Sequence, residues 1–294
     1  MEQRYATAPD QVPGMTTDDL RRHYLVPGLF VDDEIRTVYT HHDRVVLGGI
    51  SPVSAPLTLP GFPEIRSERF FEHREAGIVN VGGPGTITVD GTEHHLGHGS
   101  CLYVGRGAAD VVLASDEPIT LDGGGPTAAE GGPTAEAGPA RFYLFSAPAH
   151  TAYPTTLVPA GQGTVRELGD PLTSNRRTLN QYIHENGVRS CQVVMGVTTL
   201  HPGSMWNTMP AHTHDRRTEC YLYFDLPGEA RVLHVLGEPT ETRHLVVADR
   251  EAIIAPSWSV HSGVGTASYS FVWAMAGENQ AFDDMDGFDV ATMR

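Results

Sequence analysis

Apolar residues in most of the chain occur in short runs that alternate with turns containing Gly, Pro or Asp. Typical runs are "RTVYT", "RVVLGGI" and "GTITVDG", in which β-branched residues are frequent. Short runs of this kind, bounded by turn residues, favour β-strands. From about residue 35 onwards the pattern therefore predicts an all-β or mainly β protein.

The first part of the chain has a different pattern. "MTTDDLRRHYLV" begins with a capping Thr and two acids, and its apolar residues then recur at helical spacing. We therefore expect a short N-terminal helix within residues 1–34.

Two stretches share one layout of acid, strand, Gly turn and strand. The first begins "EAGIVNVGGPGTITVDG" and the second begins "ECYLYFDLPGEARVLHVLG". Aligning them places Glu75 opposite Glu219 and, with gaps, Asp110 near His261. Duplication of one β-barrel explains the length of 294 residues well.

The expected divisions are an N-terminal segment at 1–34, a first barrel at 35–160 and a second barrel at 161–294. Residues 116–140, "DEPITLDGGGPTAAEGGPTAEAGPA", are mostly Gly, Pro, Ala and acids. Because so little of this stretch is apolar, it predicts a mobile surface loop within the first barrel.

Charge and basic-residue usage exclude several classes of function. The formal net charge is −16 and no basic cluster is long enough to follow a phosphate backbone, so we expect no nucleic-acid partner. All 20 basic residues are Arg. Without lysine, Schiff-base enzymes, pyridoxal-phosphate enzymes and P-loop nucleotide-binding proteins are excluded, since each needs a Lys amine.

The cysteines and the hydropathy pattern bear on location. Cys101, Cys191 and Cys220 are odd in number, far apart and without CxxC spacing, which indicates a reducing compartment rather than disulfides or a thiolate metal site. No signal-peptide core and no run of about 18 apolar residues occurs. We expect a soluble, cytoplasmic protein with no membrane partner.

The sequence "MPAHTHDRRTECYLYF" contains the strongest candidate for a metal site. His212 and His214 are two residues apart, so on an extended segment both imidazoles point to one side. A bend at "DRR" would bring Glu219 to the same side, and His261 in "PSWSVHSG" is the fourth candidate. Three imidazoles and one carboxylate bind a divalent first-row ion and leave positions open for water or substrate.

This spacing of HxH, Glu and a later Pro-x-x-x-x-His resembles the metal signature of the cupin superfamily. One departure is Trp206, which stands where the usual motif has Gly six residues before the first His. The first barrel has Glu68 and Phe70 at the positions of His212 and His214, so we expect it to bind no metal. The paired histidines at 41–43 ("HHD") and 94–95 are interpreted as surface residues.

Longer motifs resemble one family in particular, the 5-keto-4-deoxyuronate isomerases of pectin and uronate breakdown. These motifs are "WNTMPAHTHDRRTECYLYF", "PSWSVHSGVGT", "GENQAFDDMD", "VYTHHDRVVLGGI", "LYVGRGA", "APAHTAYPT" and "LTSNRR", and they cover nearly the whole chain. The resemblance implies two cupin-like barrels (a bicupin), a homo-hexamer and one zinc ion per chain. The implied zinc ligands are His212, His214, Glu219 and His261.

The implied reaction converts 5-dehydro-4-deoxy-D-glucuronate to 3-deoxy-D-glycero-2,5-hexodiulosonate. Moving a carbonyl from C1 to C2 proceeds through an enediolate, whose charge a bound cation can stabilise. A general base must also move a proton. Candidates are Glu219 and, with less support, Glu278 in "GENQ"; a histidine, a tyrosine and metal-bound hydroxide remain open.

The substrate is a small anionic sugar acid, whereas the protein itself is acidic, so local Arg side chains must bind the carboxylate. The candidate arginines lie in "TSNRR" and in "HDRR", and they are Arg176, Arg177, Arg216 and Arg217. Trp206 and Trp258 flank the metal ligands in sequence and are candidates for the pocket wall.

Three alternative functions remain open at this point. A cupin dioxygenase would hold iron or manganese in the same ligand set and would consume O₂, whereas an isomerase with zinc works anaerobically. A 5-deoxyglucuronate isomerase of inositol breakdown would share architecture and chemistry. A non-catalytic sugar-binding cupin would bind the sugar acid without turnover.

Overall fold

The computed structural model describes residues 1–116 and 138–294. Strands dominate these residues, which confirms the prediction of a mainly β protein. The loop predicted at 116–140 falls almost wholly outside the described residues.

In the described part of the chain before residue 160, the regular elements are one α-helix and twelve strands. The helix α1 is Thr17–Tyr24. The strands are β1 Glu2–Arg4, β2 Leu25–Val26, β3 Ile35–Thr40, β4 Val46–Ile50, β5 Leu57–Thr58, β6 Arg74–Asn80, β7 Gly85–Val89, β8 Thr92–Leu96, β9 Cys101–Val104, β10 Val111–Ser115, β11 Phe142–Pro148 and β12 Thr156–Val158.

The described residues after 160 add twelve more strands and no α-helix. They are β13 Thr164–Leu168, β14 Arg177–Ile183, β15 Val194–Leu200, β16 Trp206–Asn207, β17 His212–Thr213, β18 Arg217–Phe224, β19 Val232–Glu238, β20 Glu241–Val247, β21 Ala252–Ala255, β22 Ser262–Gly265, β23 Ser270–Gly277 and β24 Asp286–Gly287. Short 3₁₀ turns lie at Pro9–Gly14, Pro63–Ile65, Phe70–Glu72, Pro171–Thr173 and Val290–Thr292.

The strands form four sheets and one two-stranded pair. Sheet 1 has the order β1-β3-β4-β11-β6-β9-β12, and sheet 2 has the order β5-β10-β7-β8. Sheet 3 has the order β13-β14-β15-β23-β18-β21-β2, sheet 4 has the order β16-β22-β19-β20, and β17 pairs with β24. The five central strands of sheet 1 and the four strands of sheet 2 thus recur, in the same order, in sheets 3 and 4. The repeat seen in the sequence therefore corresponds to a repeat of strand order in the structure.

The register of the repeat differs by one residue from the alignment made on sequence. Ala76 pairs with Val104, the last residue of β9, as Glu219 pairs with Ala255, the last residue of β21. Ala76, not Glu75, therefore occupies the position of Glu219. A shift of one residue moves a side chain to the other face of a sheet.

Glu75 accordingly has a different role, on the face of sheet 1 that points towards sheet 3. Its carboxylate accepts hydrogen bonds from the amides of Cys191, Gln192 and Val193 at 2.7–3.0 Å. It also accepts one from the Tyr103 hydroxyl at 2.8 Å. These bonds join the first half of the chain to the loop that precedes β15.

The sheets stack in the order 2, 1, 3, 4. One buried cluster joins sheets 1 and 2, another joins sheets 3 and 4, and a third joins sheets 1 and 3. Strands of sheets 1 and 3 are buried on both faces: in β11, Phe142 and Leu144 face sheet 2, whereas Tyr143 and Phe145 face sheet 3. This two-sided burial explains why "FYLF" is a continuous apolar run without alternation.

The N-terminal segment packs onto both halves. The helix predicted from "MTTDDLRRHYLV" is present as α1, where the Thr16 hydroxyl accepts from the Asp19 amide and the Asp19 carboxylate accepts from the Thr16 amide. β1 extends sheet 1 beside β3, while β2 extends sheet 3 beside β21. Across residues 1–116 and 138–294, no helix is both long enough and apolar enough to cross a membrane.

Candidate metal centre

Three short segments of the second half bring His212, His214, Glu219 and His261 together. His212 lies in β17, which β24 holds through the pairing of His212 with Gly287. A turn closed by the Arg217 amide donating to the His214 carbonyl at 2.9 Å leads into β18 and brings Glu219 round. His261 directly precedes β22, as Asp110 directly precedes β10 in the first half.

The four side chains converge on one point. The Nε2 atom of His212 lies 3.2 Å from the Nε2 atoms of both His214 and His261. The Glu219 Oε2 atom lies 3.0 Å from the His214 Nε2 and 2.8 Å from the His261 Nε2. All four atoms lie within 4.8 Å of one another. A tetrahedron with metal–ligand bonds of about 2.0–2.1 Å has edges of about 3.3 Å, so the cluster is close to the size that such an ion requires.

The other ring nitrogens fix the orientation of the three imidazoles. The Nδ1 of His214 donates to the Asp284 carbonyl at 2.7 Å, and the Nδ1 of His261 donates to the Ser259 carbonyl at 3.3 Å. His212 has a corresponding hydrogen bond to the Pro210 backbone. Because a carbonyl can only accept, each ring carries its hydrogen on the outer nitrogen. The three inner nitrogens and a carboxylate oxygen then face one another, which is the arrangement that a cation would satisfy.

The pKa values of His212 and Glu219 also fit a metal-binding site. Burial, together with the neighbouring His261 and His214, lowers the pKa of His212 to about 3, so its imidazole is neutral at pH 7. Burial alone would raise the pKa of Glu219, but His261 and His214 hold it well below its usual range. The site therefore presents a neutral His212 imidazole and an ionised Glu219 carboxylate, the forms that bind metal.

A C-terminal strap, residues 278–287, covers the cluster. Arg217, which is fully buried, donates to the carbonyls of Ala281 and Asp284 at 2.7 and 2.8 Å. Arg216 pairs with the carboxylates of Asp284 and Asp286, both at 2.7 Å. The strap carbonyl that orients His214, that of Asp284, is therefore held in place by Arg217, and Arg216 fixes the side chain of the same residue.

A cavity of about 190 Å³ opens beside the cluster. Its polar lining consists of metal-centre residues, one arginine and three hydroxyl side chains; the other walls are mostly apolar. The lining residues are Leu168, Arg177, Leu179, Thr198, Thr208, Met209, Pro210, His212, His214, Glu219, Tyr221, Phe271, Trp273, Met275, Phe282 and Met285.

The chain is similar to known proteins over its full length. Residues 126–291 match the KduI/IolB family. The 4-deoxy-L-threo-5-hexosulose-uronate ketol-isomerase of Kineococcus radiotolerans is 72% identical, with 100% of both chains covered. The protein of the same name from Bacillus pumilus is 52% identical over 97% of each chain. The chain belongs to the KduI/IolB family. This confirms the family resemblance found in the sequence motifs.

A solved structure supports the fold of this KduI/IolB chain. The crystal structure of an IolB-like protein from Salmonella typhimurium LT2 matches with a TM-score of 0.68, covering 90% of this chain and 97% of that one. The two sequences are 14% identical, so the match concerns the fold.

The four candidate arginines of the KduI/IolB chain occupy different environments. Only Arg177 lines the cavity, and its guanidinium donates to the Asn175 carbonyl at 2.8 Å. Arg176 is exposed and lies outside the cavity lining. Arg216 and Arg217 instead bind the strap, Arg216 through an ion pair with Asp284 and Arg217 through a hydrogen bond to the Ala281 carbonyl.

The remaining candidates do not line the cavity. Glu278 is exposed, and its amide donates to the Arg216 carbonyl. Trp206 lies in β16, paired with Val264. Trp258 packs edge-on against Tyr24, with ring centroids 6.4 Å apart, beside the core between sheets 3 and 4.

Other cavity residues were not anticipated from the sequence. The hydroxyls of Thr208 and Tyr221 are hydrogen-bonded at 2.8 Å, and the Tyr221 ring packs edge-on against His261. Phe271, Trp273 and Met275 line the cavity from the neighbouring strand β23, where Trp273 pairs with Tyr221 and Met275 pairs with Glu219. The sequence does contain one signal for these residues, a period of two: Tyr221 shares a strand face with Glu219, and the three β23 residues alternate in the same way.

Proposed function

We propose that this chain is a 4-deoxy-L-threo-5-hexosulose-uronate ketol-isomerase of pectin and uronate catabolism. It would interconvert 5-dehydro-4-deoxy-D-glucuronate and 3-deoxy-D-glycero-2,5-hexodiulosonate. Relatives with that name align with this chain from end to end at up to 72% identity. The observation that carries the proposal within the molecule is the convergence of three His Nε2 atoms and one Glu oxygen beside a cavity.

We propose zinc as the bound ion, held by His212, His214, Glu219 and His261. Three imidazoles and one carboxylate are a borderline-soft donor set that suits zinc. When bound, the ion would supply Lewis acidity to the oxygens that gain charge during isomerisation.

The chain's own residues supply the proton transfer and the binding surface. Both close contacts of Glu219 within the cluster use its Oε2 atom. Glu219 is also the only acid among the described cavity-lining residues. Its Oε1 atom is therefore our proposed acceptor for the proton that moves between C1 and C2. The hydroxyls of Thr208 and Tyr221 bind substrate oxygens, and the walls formed by Phe271 and Trp273 exclude water.

We also propose that each half of the chain is a cupin-like barrel, residues 35–160 and 161–294, with the metal only in the second. The matching strand orders support this division. In the first half, Ala76 and Asp110 stand where the second half has Glu219 and His261. The homo-hexamer and the cytoplasmic location remain predictions.

The test is an anaerobic assay of the purified, zinc-loaded protein. We expect NMR to show loss of the aldehyde (or its hydrate) at C1 of the deoxy-keto-uronate and appearance of a ketone at C2, without O₂. Oxygen uptake with iron or manganese would instead indicate the dioxygenase. Faster turnover of 5-deoxyglucuronate would indicate the isomerase of inositol breakdown, and binding without turnover would indicate a sugar-binding cupin.

A further inference from the structure

The cavity beside the metal cluster contains one permanent positive charge among its described lining residues, the guanidinium of Arg177. Arg177 lies at the start of β14, on the face it shares with Leu179, which also lines the cavity. Among the described residues, the guanidinium makes one hydrogen bond, which it donates to the Asn175 carbonyl. No carboxylate in the described ranges lies within 4.0 Å of it, in contrast to Arg216, which has two.

The surroundings of Arg177 favour the binding of an anion, because no carboxylate among the described residues neutralises its guanidinium. The guanidinium is partly buried, and desolvation lowers its pKa from the usual value, which means that the charged form is poorly solvated there. Nearby walls are formed by Leu168, Leu179 and Phe271. A partly desolvated guanidinium without a carboxylate partner favours an anion, and its planar fork matches a carboxylate.

Arg177 and the metal cluster face the same cavity, and Tyr221 lies between them. The Tyr221 ring packs against His261, with centroids 5.7 Å apart, and Tyr221 lines the same cavity as Arg177. A linear sugar acid carries its carboxylate at the end opposite C1 and C2. The cavity therefore has Arg177 for the carboxylate end of such a molecule and the metal cluster for the end with C1 and C2.

We propose that Arg177 binds the carboxylate of the substrate and makes the enzyme selective for sugar acids over neutral sugars of the same length. This assignment rests on the proposed function only for the identity of the substrate. Arg177 acts in binding and orientation, at the far end from the reacting carbons, so its loss affects KM more than kcat.

Kinetics of matched variants test the assignment. Arg177→Gln removes the charge, Arg177→Lys keeps the charge without the fork, and Arg176→Gln is the control for an adjacent, exposed arginine. We expect Arg177→Gln to raise KM for the uronate at least about 10-fold, because hydrogen bonds to charged groups are lost. Arg177→Lys should be intermediate, kcat should stay within about 2-fold, and Arg176→Gln should match the wild type. For the substrate analogue with a C6 alcohol in place of the carboxylate, all four proteins should have similar KM.

A binding experiment keeps the inference testable if the isomerase assay fails. Calorimetry on the zinc-loaded protein would compare D-glucuronate with D-glucose, with metal content and circular dichroism as controls for folding. We expect the wild type to prefer glucuronate at least about 10-fold, and Arg177→Gln to lose that preference while retaining the metal. Equal affinities for the two sugars in the wild type would overturn the assignment. So would equal KM values in Arg177→Gln and Arg176→Gln, or an equal loss for the acid and the alcohol.

Discussion

At the scale of single residues, burial determines the charge of His42, which the sequence pattern "HHD" places on the surface. The structure instead shows His42 partly buried, with its Nε2 accepting a hydrogen bond from the Thr7 amide at 3.3 Å. Burial lowers the pKa of His42 to about 4. Protonation of Nε2 would also abolish the bond to Thr7, because an amide can only donate.

This depressed pKa predicts a pH-dependent contribution to stability. Below about pH 6.5 the unfolded chain gains a proton on His42, whereas the folded protein stays neutral there until about pH 4. The free energy of unfolding therefore falls as the pH decreases across this window. We compare the free energy of unfolding of the wild type with that of His42→Gln. This difference should shift by about 2 kcal/mol against the wild type between pH 7 and pH 5. Urea unfolding of both metal-free proteins at the two pH values would measure this change, and a difference independent of pH would contradict it.

The adjacent arginines show what sequence can and cannot predict for single residues. The spacing of the four candidate metal ligands predicts their convergence, because HxH places two rings on one side of an extended segment. Arg176 and Arg177 are chemically identical, and only the pairing of β14 with β15 decides that Arg177 faces inwards. Leu179 has the parity of Arg177 and is buried in the core between sheets 3 and 4, so this one apolar position contained part of the answer; a β-bulge after Gln181 then places Ile183 on the other face.

At the scale of elements, the strap 278–287 depends on one buried arginine. Arg217→Met leaves the carbonyls of Ala281 and Asp284 without their donor, which should cost about 2–4 kcal/mol in the free energy of unfolding. Because the Asp284 carbonyl orients His214, the affinity for zinc should also fall, by roughly 10–100-fold. Chemical unfolding of the metal-free protein and competition with a zinc chelator measure the two effects.

Arg216 provides the matched control for this prediction. It also binds the strap, but through Asp284 and Asp286 at a site where its side chain is 37% exposed. Arg216→Met should therefore destabilise the protein much less than Arg217→Met. Equal effects of the two substitutions on stability and zinc affinity would show that the buried contacts of Arg217 do not secure the strap.

The strap was beyond prediction from sequence for a physical reason. β17 and β24 have two residues each, too few to show any periodicity, and they pair across more than 70 positions. Helix α1, by contrast, was predictable because its cap is local: Thr16 and Asp19 are three residues apart.

At the scale of the whole molecule, the repeat of strand order was predictable from the sequence, but its register was not. Repeated turns and strands revealed two equivalent halves, and sheets 3 and 4 repeat the strand order of sheets 1 and 2. Central strands of sheets 1 and 3, such as β6 and β18, are buried on both faces, so their sequences lack the alternation that would identify the inward side. For that reason Glu75 was aligned with Glu219, although its carboxylate joins the two halves instead.

The central claim is that His212, His214, Glu219 and His261 hold the metal ion on which isomerisation depends. The most direct measurement is elemental analysis of purified wild type, His212→Ala and His244→Ala, with anaerobic isomerase activity measured on the same samples. His244 is exposed and outside the cluster, so its variant controls for the loss of a histidine. The account predicts one zinc per chain and full activity in the wild type and His244→Ala, with both lost in His212→Ala. A metal-free wild type that is fully active, or a His212→Ala variant that keeps its metal and its activity, would contradict it.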